Sequence, residues 1–248
     1  MNTPPPSRLG PYVPIERVGV GALSQLFSAS GADAARPVTV TLRVLDASSV
    51  PARTAESFLD AATRASLVQH PRVLTVLDVG AEGEWVWFAA EERDGVPLDR
   101  VLEAYANRRL APTLDFSCAV VAEVAAILAA LDAPDGDATA TLRPFHSALW
   151  PASVRFSPDG DIELAGLGDT ERYIANRADS SAPDEARAFE PPEAHGGAPP
   201  SASSETWALG VILYRMLSAD GPDIDATPRR DDGSLEVTPL SPAIPAIL

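Results

Sequence analysis

The sequence predicts an α+β fold, with strands concentrated toward the N-terminus and helices dominating the remainder of the chain. Three observations carry this. Pro37 to Asp46, PVTVTLRVLD, alternates apolar and polar residues and is rich in β-branched side chains, the signature of a half-buried strand. Asp115 to Leu131 and Ser204 to Ser218 are apolar runs of helical length. Between them, Val154 to Phe156 and Ile162 to Leu164 read apolar-polar-apolar around Ser157-Pro158-Asp159-Gly160, in which Pro fixes φ and Gly accepts a positive φ. That stretch is a β-hairpin, entered by a loop carrying His146.

In chain order, residues 1–8 are rich in Pro and Ser and read as a disordered leader. From Leu9, LGPYVPIERVGVGALSQLFSA predicts two strands joined by a glycine-bearing turn. Ser57 to Gln69 predicts a helix with Phe58, Ala61, Ala62, Ala65 and Leu67/Val68 near one face. Val73 to Gly80 and Trp85 to Ala90 read as strands joined by the turn Glu82-Gly83-Glu84, followed by a linker from Glu91 to Gly95. Pro97 to Tyr105 predicts a short helix. Asp115 to Leu131 predicts a longer one, with Val120, Val121, Val124, Ile127, Leu128 and Leu131 on its apolar face and Cys118 in the core. Ala133 to Thr139 is an acidic, turn-rich loop, and Asp169 to Glu190 is polar without periodicity. In Ser204 to Ser218 the apolar residues surround the helix, so burial on nearly all sides is expected. Beyond Asp220 the chain is rich in Pro and Asp.

The formal net charge of -16 argues against nucleic acid or an anionic membrane as the main partner. No stretch reads as a membrane span or a secretory signal, so a cytoplasmic chain is expected. One cysteine excludes an internal disulfide and a cysteine-based zinc site, and His70, His146 and His195 show no ligand spacing. There is no lysine, so every side-chain cation is Arg or His.

Taken together, these segments resemble the bacterial Hanks-type (eukaryotic-like) Ser/Thr protein kinases. Gly19 and Gly21 match the glycine-rich loop G-x-G-x-x-G-x-V, while Ser24 and Leu26 replace its third Gly and its Val. Arg43 in ValThrLeuArg stands at the strand Lys. Counting back from His70-Pro71 puts the helix Glu at Ala61; neighbouring Asp60 points about 100° away round the helix. In the catalytic-loop pattern H-R-D-L-x-x-x-N, His146, Leu149 and Pro151 hold their places, but Ala148 stands at the catalytic Asp, Trp150 at the loop Lys and Ser153 at the metal-binding Asn. At D-F-G, Gly166, Leu167 and Gly168 follow the hairpin. Pro191-Pro192-Glu193 stands at A-P-E, and Glu205 replaces the αF Asp that ties down the catalytic loop.

The resemblance implies a two-lobed protein-kinase-like domain over residues 9–248, with a small β-rich N-lobe (about 9–94) and a larger, mainly helical C-lobe (about 95–248) lacking its last helices. It implies a structural role for His146 beneath the catalytic loop. It leaves Gly19, Gly21, Arg43 and Glu91 as the remnant of a nucleotide pocket, with no metal ligands and no cofactor. Asp169, three residues past the metal position, is not expected to bind magnesium. Ser180 and Ser181 fall in the activation segment as candidate phosphorylation sites. The expected function is a catalytically inactive regulatory module, a pseudokinase acting on protein partners such as an active kinase or a domain covering its C-terminal end. The alternatives are a metal-independent ATP sensor and a weakly active Ser/Thr kinase.

Overall fold

In a computed structural model describing residues 5–31, 39–132, 146, 149–169, 189–195 and 201–218, the N-lobe is a five-stranded antiparallel sheet. Its strands are β1 (Tyr12–Val20), β2 (Ser24–Gly31), β3 (Thr39–Asp46), β4 (Val76–Glu82) and β5 (Trp85–Glu91), in the order β1-β2-β3-β5-β4. The alternation along β3 sends its side chains to two cores. Val40, Leu42 and Val44 join Leu9, Tyr12, Phe27 and Trp87 on one face, where Tyr12 meets Trp87 edge-on at 5.6 Å. Leu45 joins Val86 and Phe88 on the other, beneath helix α1 (Ala52–Ser66). Phe58 of α1 meets Phe88 with ring centroids 5.4 Å apart.

The C-lobe begins with a small sheet of β6 (Val96–Pro97), β7 (Val154–Phe156) and β8 (Ile162–Leu164). Helices α2 (Leu98–Asn107), α3 (Leu114–Asp132), α4 (Pro192–His195) and α5 (Ala202–Leu217) complete the described part. Helix α5 packs on α3, and α3 on β8. One buried core runs without a break from Phe58, Ala62 and Phe88 through Leu164, Leu167 and Leu149 to Ile127, Val211 and Ile212. The two lobes therefore share this core, while the second stays within the N-lobe.

The hairpin forms at the residues expected: Gly160 has φ +90°, and its N–H donates to Ser157 O at 2.9 Å. Other boundaries shift for physical reasons. Helix α1 starts at Ala52, behind Pro51, and ends at Ser66, with Leu67 68 % exposed. Val73 pairs with Leu164 in a parallel bridge, which delays β4 to Val76. Cys118 is exposed: the buried stripe of α3 is Val120, Val124, Ile127 and Leu128, and Cys118 faces away from it. Residues Leu114–Leu131 of this helix are long and apolar enough to cross a bilayer by length and composition alone, which sequence reading passed over. In α5 the fully buried residues are Ser204, Ala208, Val211, Ile212 and Met216, while Trp207, Leu209, Leu213 and Tyr214 are half-buried. His195 ends the short helix α4. The acidic loop, the C-terminal tail, Ser180 and Ser181 lie outside the described residues.

Helix α1 rests on the turn after β8. Gly168 has φ +86°, and a Cβ there would stand 2.8 Å from Ala65 Cβ and 3.3 Å from Ala61 O. Gly166 has the same φ, but a Cβ there meets nothing within 4 Å. Gly168→Ala is therefore expected to cost about 3 kcal/mol, from left-handed backbone strain plus overpacking. Gly166→Ala is expected to cost only the backbone part, about 1–2 kcal/mol. Denaturant unfolding of the two variants checks the difference.

Candidate functional site

The N-lobe side of the cleft is built on β1, β2 and β3. Gly19 faces Leu26 across the β1–β2 pair, and Gly21 N–H donates to Ser24 O at 2.8 Å, closing the tight turn between the strands. Ser24 is buried, and its Oγ accepts from Arg43 Nη1 at 3.3 Å. Arg43 sits mid-strand in β3, opposite Leu26 and Phe88. Its Nη2 pairs with Asp169 Oδ2 at 2.8 Å, with the two side chains only 15 % and 14 % exposed. Asp169 N–H donates back to Gly166 O at 3.0 Å, so the carboxylate is set by the same glycine turn that carries α1. The cation of β3 thus meets a carboxylate from the C-lobe. Ala61 of α1 offers no partner charge, and its carbonyl lies against Gly168 instead.

Glu91 does not join this group. It lies at the end of β5, where its Oε2 accepts from Arg93 Nη2 at 2.7 Å and from Thr75 N–H at 3.4 Å. The Arg93 hydrogen bond, helped by Thr75 and by the Arg93 charge, holds its carboxyl below the usual range against the opposing effect of burial.

On the C-lobe side, His146 is buried, with Nε2 2.9 Å from Ala165 O. The hydrogen therefore resides on Nε2 and is committed to a backbone carbonyl. The His146 N–H donates to Glu205 Oε1, so the longer carboxylate of α5 does reach the loop. Ser153 ends a single turn of 3-10 helix. Its Oγ donates to Trp150 O at 2.8 Å and accepts from Trp150 N–H at 3.1 Å. Its carbonyl receives Ala165 N–H at 2.8 Å. Trp150 is half-buried against the core, and Leu167 is fully buried. Ala148 lies outside the described residues. Among the described residues, no group of three His, Cys, Asp or Glu side chains is placed to hold a metal ion.

Sequence reading missed a second polar cluster, formed by Arg93, Arg155 and Glu163. Alternation in the hairpin assigns Arg155 and Glu163 to a wet face. In the structure Glu163 is 7 % exposed and accepts from Arg93 Nη1 at 2.8 Å. The available signal was an opposite-charge pair at mirrored positions of the two strands.

No protein-family model matches the chain. A point-mutant form of the PknI kinase domain from Mycobacterium tuberculosis superposes with a TM-score of 0.65 at 21% identity, covering 93% of this chain and 83% of that chain. The 3-phosphoinositide-dependent protein kinase 1 of Arabidopsis thaliana is 29% identical over 92 residues, 33% of this chain and 19% of that protein. Human ribosomal protein S6 kinase alpha-2 is 27% identical over 167 residues, 62% of this chain and 21% of that protein. The chain thus spans about a fifth of the length of these curated relatives. Its fold is protein-kinase-like, an antiparallel N-lobe sheet with one helix joined to a helical C-lobe.

Replacing Glu205 by Ala leaves the His146 N–H without this acceptor and is expected to lower stability by about 1–3 kcal/mol. Glu205→Gln keeps an acceptor oxygen and is expected to lose less than half as much. Thermal unfolding of the two variants against the parent decides this.

Proposed function

We propose that this chain is a non-catalytic protein-kinase-like module that acts through its surfaces on protein partners. The observation that carries the reading is the Arg43–Asp169 ion pair. Phosphoryl transfer depends on a cation at the phosphates, metal ions bridging them and a carboxylate near the attacking hydroxyl. Here the β3 cation is matched with an internal carboxylate at 2.8 Å. A guanidinium paired in this way directs one arm of its fork at Asp169 and the other at Ser24, and a phosphate must compete for it.

The residues also do not fit a magnesium ion. Gly166 has no side chain, and the Ser153 hydroxyl caps the 3-10 turn. Asp169, the carboxylate that follows Gly168, is held by Arg43. Hard divalent cations need several oxygen donors in fixed geometry, and this set supplies one engaged carboxylate and one engaged hydroxyl. The absence of lysine removes the other side chain that neutralises phosphates in this fold. In this reading the fold serves recognition, and partner choice lies in surfaces rather than in the cleft.

Two measurements test this. Incubation with radiolabelled ATP and divalent metal is expected to give no transfer to the chain or to a basic substrate protein above a no-protein blank. Transfer that disappears in an Arg43→Ala variant would overturn the reading. Thermal unfolding with millimolar ATP, in magnesium and in EDTA, is expected to leave the parent midpoint unchanged. Asp169→Asn removes the competing charge, so tripolyphosphate and ATP are expected to raise the variant's midpoint by mass action in EDTA as well as in magnesium. A shift in the parent that survives EDTA would favour the nucleotide-sensor reading, and one that requires magnesium would favour an enzyme.

A further inference from the structure

Arg155 of β7 and Glu163 of β8 stand directly opposite each other, so their side chains share one face of the hairpin. That face carries the connection between the lobes, residues 92–95. Arg155 Nη2 donates to Arg93 O at 2.8 Å and to Gly95 O at 3.3 Å. The connection lies so close that a Cβ at Gly95 would stand 2.8 Å from Phe156 O. The side chain of Arg93 binds three segments at once. Its Nη1 donates to Pro71 O at 2.9 Å and to Glu163 Oε1 at 2.8 Å. Its Nη2 donates to Glu91 Oε2 at 2.7 Å.

These partners come from both lobes. Pro71 belongs to the turn behind α1, and Glu91 ends β5, whereas Glu163 lies in the hairpin below the cleft. Arg93 meets both carboxylates, while Arg155 donates to the backbone carbonyls of Arg93 and Gly95. The side chains of Arg93, Glu91 and Glu163 are 28 %, 31 % and 10 % exposed, so their attraction is screened less than in a surface pair. The forked guanidinium of Arg93 donates to three acceptors from three directions. Rotation of one lobe against the other must be absorbed by backbone dihedrals of the connection. Here the backbone of that connection is pinned by Arg155 and its side chain by Glu163 and Pro71.

We propose that Arg93 is an interlobe lock: its bonds to Pro71 O, Glu91 and Glu163 fix the angle between the lobes, and its release lets them rotate. The lock is independent of what the cleft binds, so the proposal stands whether or not the non-catalytic reading does.

The test uses the chain's single cysteine, Cys118, which is exposed on α3. A second label site, Glu84→Cys in the exposed β4–β5 turn, completes a spin-label pair across the lobes. The labelled parent is expected to give one narrow distance distribution. Arg93→Ala is expected to broaden it about twofold and to raise amide exchange in residues 92–95 about tenfold, with β2, β3 and α3 still protected. Glu163→Gln, which keeps volume and removes one charge, is expected to move both readouts in the same direction by less. A parental distance distribution together with parental linker exchange in Arg93→Ala overturns the proposal, even if the midpoint falls. Should Arg93→Ala fail to fold, Glu163→Gln decides on the same two readouts.

Discussion

The close approach of helix α1 to the turn after β8 is the constraint on which the rest depends. Gly168 leaves no room for a side chain beneath Ala61, Ala62 and Ala65. That contact lets the N-lobe core continue through Leu164 and Leu167 into the C-lobe. It also sets Asp169, the next residue, at the height of Arg43. A bulkier turn would separate the helix from the hairpin, and the charge pair would lose its geometry with it. Hydrophobic continuity and the electrostatics of the cleft are therefore one arrangement rather than two.

The polar groups around the cleft are engaged in holding backbone. His146 ties the loop to Ala165, Ser153 closes the turn at Trp150, and Glu205 takes up the His146 N–H. Each of these links satisfies a group that would otherwise be buried without a partner, a situation whose penalty exceeds the net gain from the bond itself. His146 is thus tied to α5 through Glu205 and to the residue after β8 through Ala165.

Local chemistry made part of this legible in the sequence. The β7–β8 hairpin appears at the residues expected because Pro, Asp and Gly define one turn. The alternation of β3 gave its strand and the placing of Arg43. The start of α1 was hidden because Ala52, Arg53 and Thr54 carry no apolar period. Cys118 was misplaced because α3 is apolar on nearly every side, so periodicity could not choose its buried face. Arg155 and Glu163 read as solvent-facing because alternation cannot say what covers the second face of a hairpin; here the interlobe connection does. The Arg43–Asp169 pair lay beyond sequence reading for a different reason. Its partners are remote in the chain, and only the glycine turn brings them together.

Every ion pair among the described residues sets an arginine against a carboxylate, and no lysine exists to do otherwise. A guanidinium keeps its proton throughout the range in which proteins stay folded. The Arg93–Glu91 pair can therefore be broken by titration from one side only. A carboxylate held below its ordinary value, as Glu91 is, contributes stability above its unfolded pKa and loses it as pH falls through the folded one. The pair itself has no matching decay on the alkaline side, where it is the phenol of Tyr12, pushed up by burial and by Asp78, that loses its contribution as pH rises through its folded pKa. The Arg93–Glu91 pair thus has an acid edge and no basic one, an asymmetry set by amino-acid choice rather than by architecture.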